Sequence, residues 1–326
     1  MNETKTRART KKLKIALFIV LGVWTVITLL GVAVVFEALN TEWVTLTPIS
    51  PKESLRQFKK TDTAQEMYLE LLKVVLTRYG LDSSYKPLIN PKARLGRIVS
   101  PWIRYARVVQ VKPFDPRPRE HGRDWPPNSE TMIGLRRLDS LQECVTDVIR
   151  RDVPGDLIEC GAWRGGACIF MRAVLKAYGD TGRKVWVADS FEGIPKPDPT
   201  IDPQDARLWA GGELAVSVEE AKQNFATYGL LDEQVRFLKG FFIDTLPEAP
   251  IESLSVLRVD CDLHESVMQS LEYLYPKVSV GGYVIIDDYG ALPPAKRAVE
   301  DYRRSNGITE EIVRIDWTGV YWIKER

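Results

Sequence analysis

The chain has 326 residues, of which 44% are hydrophobic and 27% charged, which is typical of a globular protein with a sizeable core. The formal net charge of +1 excludes a global field that would draw the protein to nucleic acid. The 4 cysteines form no CxxC pair, which argues against a zinc site. Three of them lie in apolar stretches and are interpreted as small buried hydrophobes, with a disulfide left open.

The N-terminus predicts attachment to a membrane. Residues 1–12 form a basic tail, and residues 13–36 read LKIALFIVLGVWTVITLLGVAVVF, with a single charge, Lys14, at the edge. A helix that crosses the hydrocarbon core needs about 20 apolar residues. A cleavable signal peptide would have a shorter apolar region of about 7–15 residues and a small-residue cleavage site. We therefore expect a single-pass transmembrane helix at 13–36. The basic tail favours a cytoplasmic N-terminus, but the side of the membrane that holds the rest of the chain is left open.

The next segments connect this helix to the main domain. Residues 37–60 are predicted to be a polar tether. Within 61–129, apolar residues at helical spacing predict an amphipathic helix over 63–79. A stretch rich in proline and arginine follows, and its prolines preclude long regular elements. We interpret it as a lid or a membrane-facing surface.

Residues 130–326 alternate between predicted strands and helices. The helices are predicted at 131–151, 167–179, 218–228, 266–278 and 295–305. The strands are predicted at 156–160, 184–189, 235–238, 255–259 and 283–286, followed by closing strands within 310–316 and 319–325. Alternation of this kind predicts an α/β fold, in which helices cover both faces of a mainly parallel sheet. The closing strands predict an antiparallel hairpin at or near its edge.

Three of the strand ends carry features of a nucleotide site. Ligands of open parallel sheets bind beyond the carboxyl ends of the strands. The first strand runs into the turn CGAWRGG, whose glycines let the backbone approach a ligand. Asp189 after the second strand can accept hydrogen bonds from both ribose hydroxyls of an adenosine cofactor. The sequence KGFF after the third strand offers an aromatic surface for adenine. A glycine turn alone is equally typical of a structural turn, but the ordered set is more specific.

The next two strand ends are acidic. Asp260 follows the fourth strand, and Asp287 and Asp288 follow the fifth. Carboxylates at neighbouring strand ends repel one another unless a cation neutralises them. Oxygen ligands suit magnesium, calcium or manganese better than zinc. Asp262 is interpreted as a cap of the following helix, whereas Asp260, Asp287 and Asp288 are interpreted as metal ligands. Such a cation could lower the pKa of an attacking hydroxyl.

The chain has 2 histidines. His264 directly follows the loop of Asp260 and is a candidate catalytic residue, although a loop histidine is more frequently a solvated surface group. His121 lies in the proline-rich stretch, and a role in a substrate lid is left open for it without support from other residues.

Several ordered segments carry a family resemblance, namely YLELLKVVLTRYG, GRDWPPNSETMIGLRRLDSLQ, DLIECGAWRGGACIFMRAVL, VADSFEGIP, FLKGFFIDTLP and LRVDCDLHESVMQSLEYLYPKVSVGGYVIIDDYG. They resemble the macrocin O-methyltransferase family, whose members methylate sugar hydroxyls of macrolide and related antibiotics. The resemblance extends over roughly 63–324. It implies a class I methyltransferase fold with a seven-stranded sheet, S-adenosylmethionine as cofactor, and Mg²⁺ at the aspartates after strands four and five.

The resemblance also assigns residues. Asp260 would be both a metal ligand and the general base. Thr131 and Met132 look like the segment that closes over the methionine end of the cofactor. The remaining positions that match the cofactor pocket are Glu159, Gly161, Asp189, Ser190, Gly240 and Phe241.

The sequence departs from the family in three places. His264 stands where an aromatic residue usually follows the acidic pair. The histidine that family members carry after the second strand has no counterpart, since Trp209 stands about there. The predicted membrane helix is the third departure, and it favours a glycan, a glycolipid or another lipid-linked acceptor. We therefore expect a membrane-anchored, magnesium-dependent O-methyltransferase that acts on a hydroxyl of a sugar, glycan or glycolipid-like acceptor, with homo-oligomerisation left open.

Two other functions are compatible with parts of the pattern. Asp260-Cys261-Asp262 is a DxD motif, which with a signal anchor is typical of a metal-dependent glycosyltransferase that binds a nucleotide-sugar diphosphate. That function requires neither the glycine turn nor Asp287-Asp288. A membrane-tethered binding protein with a decayed site is disfavoured by the intact acidic residues and by the ribose carboxylate.

Overall fold

The computed structural model describes residues 63–81, 84–87, 109–112, 114–124, 126, 128–196 and 214–326. The predicted tail (1–12), membrane helix (13–36) and tether (37–60) lie outside these residues. Among the helices of the described ranges, none is both long and apolar enough to cross a membrane. The chain divides into two compact units, residues 1–49 with 86–113 and residues 50–85 with 114–326. The second unit carries the main sheet.

The elements before the main sheet are helical or short. Helix α1 (Ala64–Thr77) lies within the predicted range, and the Thr63 hydroxyl caps it by accepting a hydrogen bond from Glu66 N at 3.2 Å. Strands β1 (Ser84–Pro87) and β2 (Val109–Lys112) form a two-stranded sheet, and α2 (Pro116–Glu120) has 5 residues. The described part of the proline-rich stretch therefore contains only short elements, and the lid or membrane-facing role stays a prediction.

A seven-stranded sheet forms the centre of the second unit. Its strands are β3 (Asp156–Cys160), β4 (Val185–Asp189), β5 (Val235–Lys239), β6 (Leu254–Val259), β7 (Val278–Ile286), β8 (Val313–Arg314) and β9 (Val320–Ile323). Their order is β5-β4-β3-β6-β7-β9-β8. The first five strands in this order are parallel, and β9 pairs antiparallel with both β7 and β8. The predicted α/β fold, its mainly parallel sheet and the edge hairpin are confirmed.

Helices cover both faces of this sheet. They are α3 (Gly134–Arg150), α4 (Gly166–Ala177), α5 (Val218–Thr227), α6 (Phe242–Thr245), α7 (His264–Leu274), the 3₁₀ turn Tyr275–Lys277 and α8 (Pro293–Ser305). One apolar core takes Leu157 and Val187 from the sheet and packs under α1, α3, α4 and α5. The other takes the next residues along, Ile158 and Ala188, and packs under α7 and α8. This alternation follows from the two-residue period of a strand.

Two predicted elements near the C-terminus differ from the structure. Strand β7 begins at Val278 rather than at residue 283, and its register against β6 shifts between Leu254 and Val256. Gly281 accommodates the irregularity with a φ of 85°. The first closing strand is limited to Val313–Arg314, because pairing with β9 stops there.

Candidate functional site

Backbone hydrogen bonds tie the carboxyl ends of the parallel strands together where the predicted motifs stand. The bonds run from Gly240 N to Asp189 O (3.0 Å), from Gly161 N to Ala188 O (2.8 Å), from Asp260 N to Cys160 O (2.9 Å) and from Asp287 N to Val259 O (2.9 Å). The glycine turn, the predicted ribose carboxylate and the acidic residues therefore share one edge of the sheet.

Gly161 allows two of these strand ends to approach closely. Its φ is 90°, and a Cβ built on it would lie 1.8 Å from the carbonyl oxygen of Asp260. A side chain at this position would clash with the backbone that carries Asp260. Glycine is thus required both by the backbone conformation and by the contact.

The Asp189 carboxylate is fixed by the loops around it. Oδ2 accepts a hydrogen bond from Trp163 N at 2.9 Å, and Oδ1 accepts one from Phe191 N at 2.8 Å. Burial raises the pKa of Asp189, and these backbone donors oppose the rise. A carboxylate offers about four acceptor positions, so Asp189 retains capacity for ligand hydroxyls. Its role as ribose ligand stays a prediction.

The other predicted cofactor residues lie around the same loops. The Ser190 hydroxyl donates to Gly193 O at 2.7 Å, which closes the turn after β4. Phe241 is 39% exposed and precedes α6, whereas Phe242 is buried in the core. Thr131 is buried against the start of α4, where a Cβ on Gly166 would lie 2.6 Å from Thr131 Cβ. Met132 beside it is partly exposed.

The three predicted metal ligands come together. Asp260, Asp287 and Asp288 each offer a carboxylate oxygen, and these oxygens all lie within 4.8 Å of one another. Burial raises the pKa of Asp260, and the Asp287 charge adds to the rise. Burial also raises the pKa of Asp288 well above its usual range, together with the charges of Asp262 and Asp260. Asp288 Oδ2 is buried and has no hydrogen-bond partner among the described residues.

Two buried arginines, which the sequence patterns did not indicate as site residues, organise this cluster. Arg258 donates to Glu159, to Asp287 and, at 2.8 Å, to Asp260. Arg137 donates to the other oxygen of Asp287. For Arg258 a signal was available, since it is a charge within an apolar strand and stands opposite Glu159 in the register of β3 and β6. A charged residue within a buried strand is normally paired with an opposite charge, and Glu159 supplies that charge for Arg258.

The charge balance of the cluster fits a divalent cation. Four carboxylates, those of Glu159 and the three aspartates, face two guanidinium groups, and Arg137 is also shared with Asp316 at 3.3 Å. With all four carboxylates ionised, the negative charge exceeds the positive charge. The orphaned oxygen of Asp288 and the oxygen-only donor set suit Mg²⁺ or Mn²⁺.

Glu159 belongs to this network. One of its oxygens accepts from Arg258, and the other accepts from Cys168 Sγ at 2.9 Å. Burial raises the pKa of Glu159 to about 7, and the Arg258 charge limits the rise. All four cysteines are free thiols, so the disulfide left open by the sequence is not formed. Cys168 is buried as predicted, but it also has a polar contact.

The region after β6 differs from the prediction at Asp262. The N-cap residue of α7 is Leu263, which makes no side-chain capping bond, so the prediction that Asp262 caps this helix is wrong. Asp262 instead adopts a left-handed φ of 60°. His264 is the first residue of α7. Its Nδ1 is buried without a partner among the described residues, and its Nε2 lies 3.8 Å from Asp301 Oδ2. Trp209 lies outside the described residues.

Comparison with known proteins identifies the family. The family model described as macrocin-O-methyltransferase (TylF) matches residues 65–324. The chain belongs to the macrocin O-methyltransferase family. Demethyldecarbamoylnovobiocin O-methyltransferase of Streptomyces niveus is 55% identical over 64% of this chain and 80% of its own length. Mycinamicin III 3''-O-methyltransferase of Micromonospora griseorubida is 43% identical over 80% of this chain and 97% of its own length.

A solved structure of the family agrees with the fold. The O-methyltransferase NovP is similar with a TM-score of 0.69 and 47% identity, over 80% of this chain and 100% of that chain. The family, its named members and the strand-end motifs make this protein an S-adenosylmethionine-dependent O-methyltransferase of the macrocin O-methyltransferase family.

Proposed function

We propose that this macrocin O-methyltransferase family member is a membrane-anchored, magnesium-dependent enzyme that methylates a hydroxyl of a sugar, glycan or glycolipid-like acceptor. The observation that carries the proposal is the three-aspartate cluster, whose excess negative charge lies at the same sheet edge as the Asp189 loop. The name of a Streptomyces olivaceus relative, 49% identical over 80% of this chain, includes a rhamnosyl group, which supports a sugar acceptor here.

The cofactor residues act by binding and positioning. S-adenosylmethionine, when bound, supplies an electrophilic methyl group. Asp189 would accept hydrogen bonds from its ribose hydroxyls, because its carboxylate is already oriented by Trp163 N and Phe191 N. Thr131 and Met132 would cover the methionine end, and the exposed face of Phe241 would contact the adenine. Fixed positions of this kind accelerate transfer by holding the reacting atoms together.

The acidic residues act on the acceptor. Asp260, Asp287 and Asp288 would hold the divalent cation, which lowers the pKa of a hydroxyl when bound. Asp260 would accept the hydroxyl proton. Arg258 holds the Asp260 carboxylate at 2.8 Å and thereby orients it. His264 is the second candidate for proton transfer, since it follows the same loop and its Nδ1 has no partner among the described residues.

Calorimetry on the full-length protein in detergent micelles tests the cofactor assignment. Asp189→Ala is expected to weaken binding of S-adenosylmethionine by roughly 10- to 100-fold, because hydrogen bonds to a charged group contribute about 1.5–3 kcal/mol each. Glu252→Ala is the matched control, since it removes an exposed carboxylate that precedes β6 at the opposite edge of the sheet. A folded wild-type protein that binds a nucleotide-sugar and not S-adenosylmethionine would refute the proposal in favour of a glycosyltransferase.

Membrane attachment through residues 13–36 has its own test. Replacing Val26 and Leu29 with arginine in the full-length chain places two charges in the middle of the apolar segment. Each charge raises the free energy of membrane insertion by about 2.5–3.5 kcal/mol. We expect the wild-type protein to sediment with membranes after a carbonate wash and the double variant to be released. Replacing the same residues with alanine is the control. Release of the wild-type protein by the same wash would contradict the anchor.

A further inference from the structure

A cavity rich in arginine opens on the second unit, and none of the three clustered aspartates lines it. Its volume is about 580 Å³, within the range of about 300–1,000 Å³ that is typical of small-molecule sites. We call it the arginine pocket. It is lined by Arg117, Pro118, His121, Arg123, Arg136, Arg314, Ile315, Asp316 and Trp317.

Three segments that are distant in sequence form this pocket, and specific contacts hold them together. The Trp317 indole Nε1 donates to His121 O at 2.7 Å, which joins the β8–β9 turn to the end of α2. The Arg123 guanidinium lies 4.6 Å from the centre of the Trp317 ring. Arg314 Nε donates to Asp316 O at 2.5 Å. The arginines are therefore held on a formed framework.

The pocket carries more positive than negative charge. Its only lining carboxylate, Asp316, is directed to Arg137 and to the backbone, since Oδ1 accepts from Thr318 N and Gly319 N at 2.9 and 2.8 Å. Arg136 forms an ion pair with Glu120, in which Nε lies 3.4 Å from Oε1. The other lining arginines are Arg117, Arg123 and Arg314. None of the ion pairs between described residues involves them.

The arginine pocket is adjacent to the acidic cluster. The Arg137 guanidinium contacts Asp287 of the cluster through one nitrogen and Asp316 of the pocket through another. Val320 pairs with Ile286 at the carboxyl end of β7, which places the turn before β9 beside the aspartates. The Thr318 hydroxyl also donates to Asp287 O at 2.9 Å. The buried Arg137 side chain therefore links Asp316 of the pocket to Asp287 of the acidic cluster.

We propose that the arginine pocket binds a phosphoryl group of the acceptor, so that the methylated sugar is presented as a phosphate- or diphosphate-linked conjugate. This inference rests on the proposed function and adds the class of acceptor. Guanidinium groups form paired, charge-assisted hydrogen bonds that match phosphate oxygens. A neutral glycoside would leave the charge of Arg117, Arg123 and Arg314 without a counterpart. A diphosphate diester carries two negative charges, which would balance most of the positive charge of these three arginines.

Titration of the full-length protein in detergent with sodium pyrophosphate tests the pocket. EDTA in the buffer prevents phosphate from binding through a metal at the aspartates. We expect saturable binding that weakens as salt is added, and at least about tenfold weaker binding in the double variant Arg123→Ala/Arg314→Ala. Both side chains are exposed, so the fold should be retained. Arg150→Ala is the control, because this exposed arginine ends α3, 14 residues or about 21 Å from Arg136.

Pyrophosphate binding that is equal in the wild-type and double-variant proteins would overturn the inference, and so would no binding by the wild-type protein. Titration of the same samples with S-adenosylmethionine separates this failure from failure of the proposed function, because the double variant should bind the cofactor as the wild-type protein does.

Further probes distinguish the sources of the phosphoryl group. Tighter binding of UDP-glucose than of pyrophosphate would indicate a soluble nucleotide-linked sugar, and tighter binding of farnesyl diphosphate in micelles would indicate a lipid-linked one. Methyl glucoside is the uncharged control. Binding of methyl glucoside as tight as that of both phosphate-bearing probes would also overturn the inference.

Discussion

In a metal-free buffer, Asp287→Asn is expected to lower the thermal unfolding midpoint and Asp288→Asn to raise it. Asp287 accepts hydrogen bonds from Arg258 and Arg137, and removal of one partner from a buried ion pair typically costs about 3–5 kcal/mol. Asp288 has a buried oxygen with no partner among the described residues, and the charges of three aspartates oppose its ionisation. A neutral amide of the same shape would relieve this repulsion and stabilise the protein.

The same two variants should behave alike when Mg²⁺ is added. The free energy of unfolding of the wild-type protein should rise by about 2.7 kcal/mol at a metal concentration 100 times the dissociation constant. Both variants should lose most of this stabilisation, and they should also lose the methyl-transfer activity. Differential scanning calorimetry in EDTA and in Mg²⁺ measures both effects. If the two substitutions shift the midpoint in the same direction in EDTA, or if Asp288→Asn keeps the full stabilisation by Mg²⁺, the assignment of the cluster is wrong.

Gly161→Ala is expected to unfold or inactivate the protein. The φ of 90° disfavours alanine, and its Cβ would lie 1.8 Å from the Asp260 carbonyl oxygen. The left-handed conformation costs about 1–2 kcal/mol, and overpacking adds about 1–3 kcal/mol. Because relief of the clash must move the strand end that carries Asp260, we expect affinity for the cofactor and the metal to fall as well.

Gly179→Ala is the matched control for this substitution. Gly179 has a φ of 70°, but a Cβ built there would meet no atom within 4 Å. Its substitution therefore measures the cost of the backbone conformation alone. Chemical denaturation measures the loss of stability in each variant, and titration with the cofactor measures the loss of binding. The larger losses expected in Gly161→Ala report the contact with Asp260. Equal losses of stability, with cofactor binding retained in Gly161→Ala, would show that the contact with Asp260 is unimportant.

Much of the fold could be predicted because the sheet is mainly parallel. Strands covered on both faces appear as short apolar runs, and turn residues mark their ends. The functional residues follow these runs directly, so the sequence alone assigns Asp189, Asp260 and Asp287 to one edge of the sheet. The extension of β7 to Val278 could not be predicted, because it depends on a register shift against β6 that Gly281 allows.

The arginines of the site show the limit of local patterns. Arg137 lies in the first turn of the amphipathic helix α3, where an arginine is typical of a solvated position, and its partner Asp287 is 150 residues away. Arg258 and Glu159 are 99 residues apart and become neighbours only through the register of β3 and β6. The error at Asp262 has a similar origin, since its position before a helix suggested a cap, but the chain turns there with a positive φ.

A crystal structure of the full-length protein with S-adenosylhomocysteine and Mn²⁺ would test metal-assisted methyl transfer at this edge of the sheet directly. We predict an anomalous peak at about 2.0–2.6 Å from oxygens of Asp260, Asp287 and Asp288, with the ribose hydroxyls of the nucleoside on Asp189. A peak elsewhere, or a nucleoside bound away from the Asp189 loop, would contradict a metal-assisted methyl transfer at this edge of the sheet.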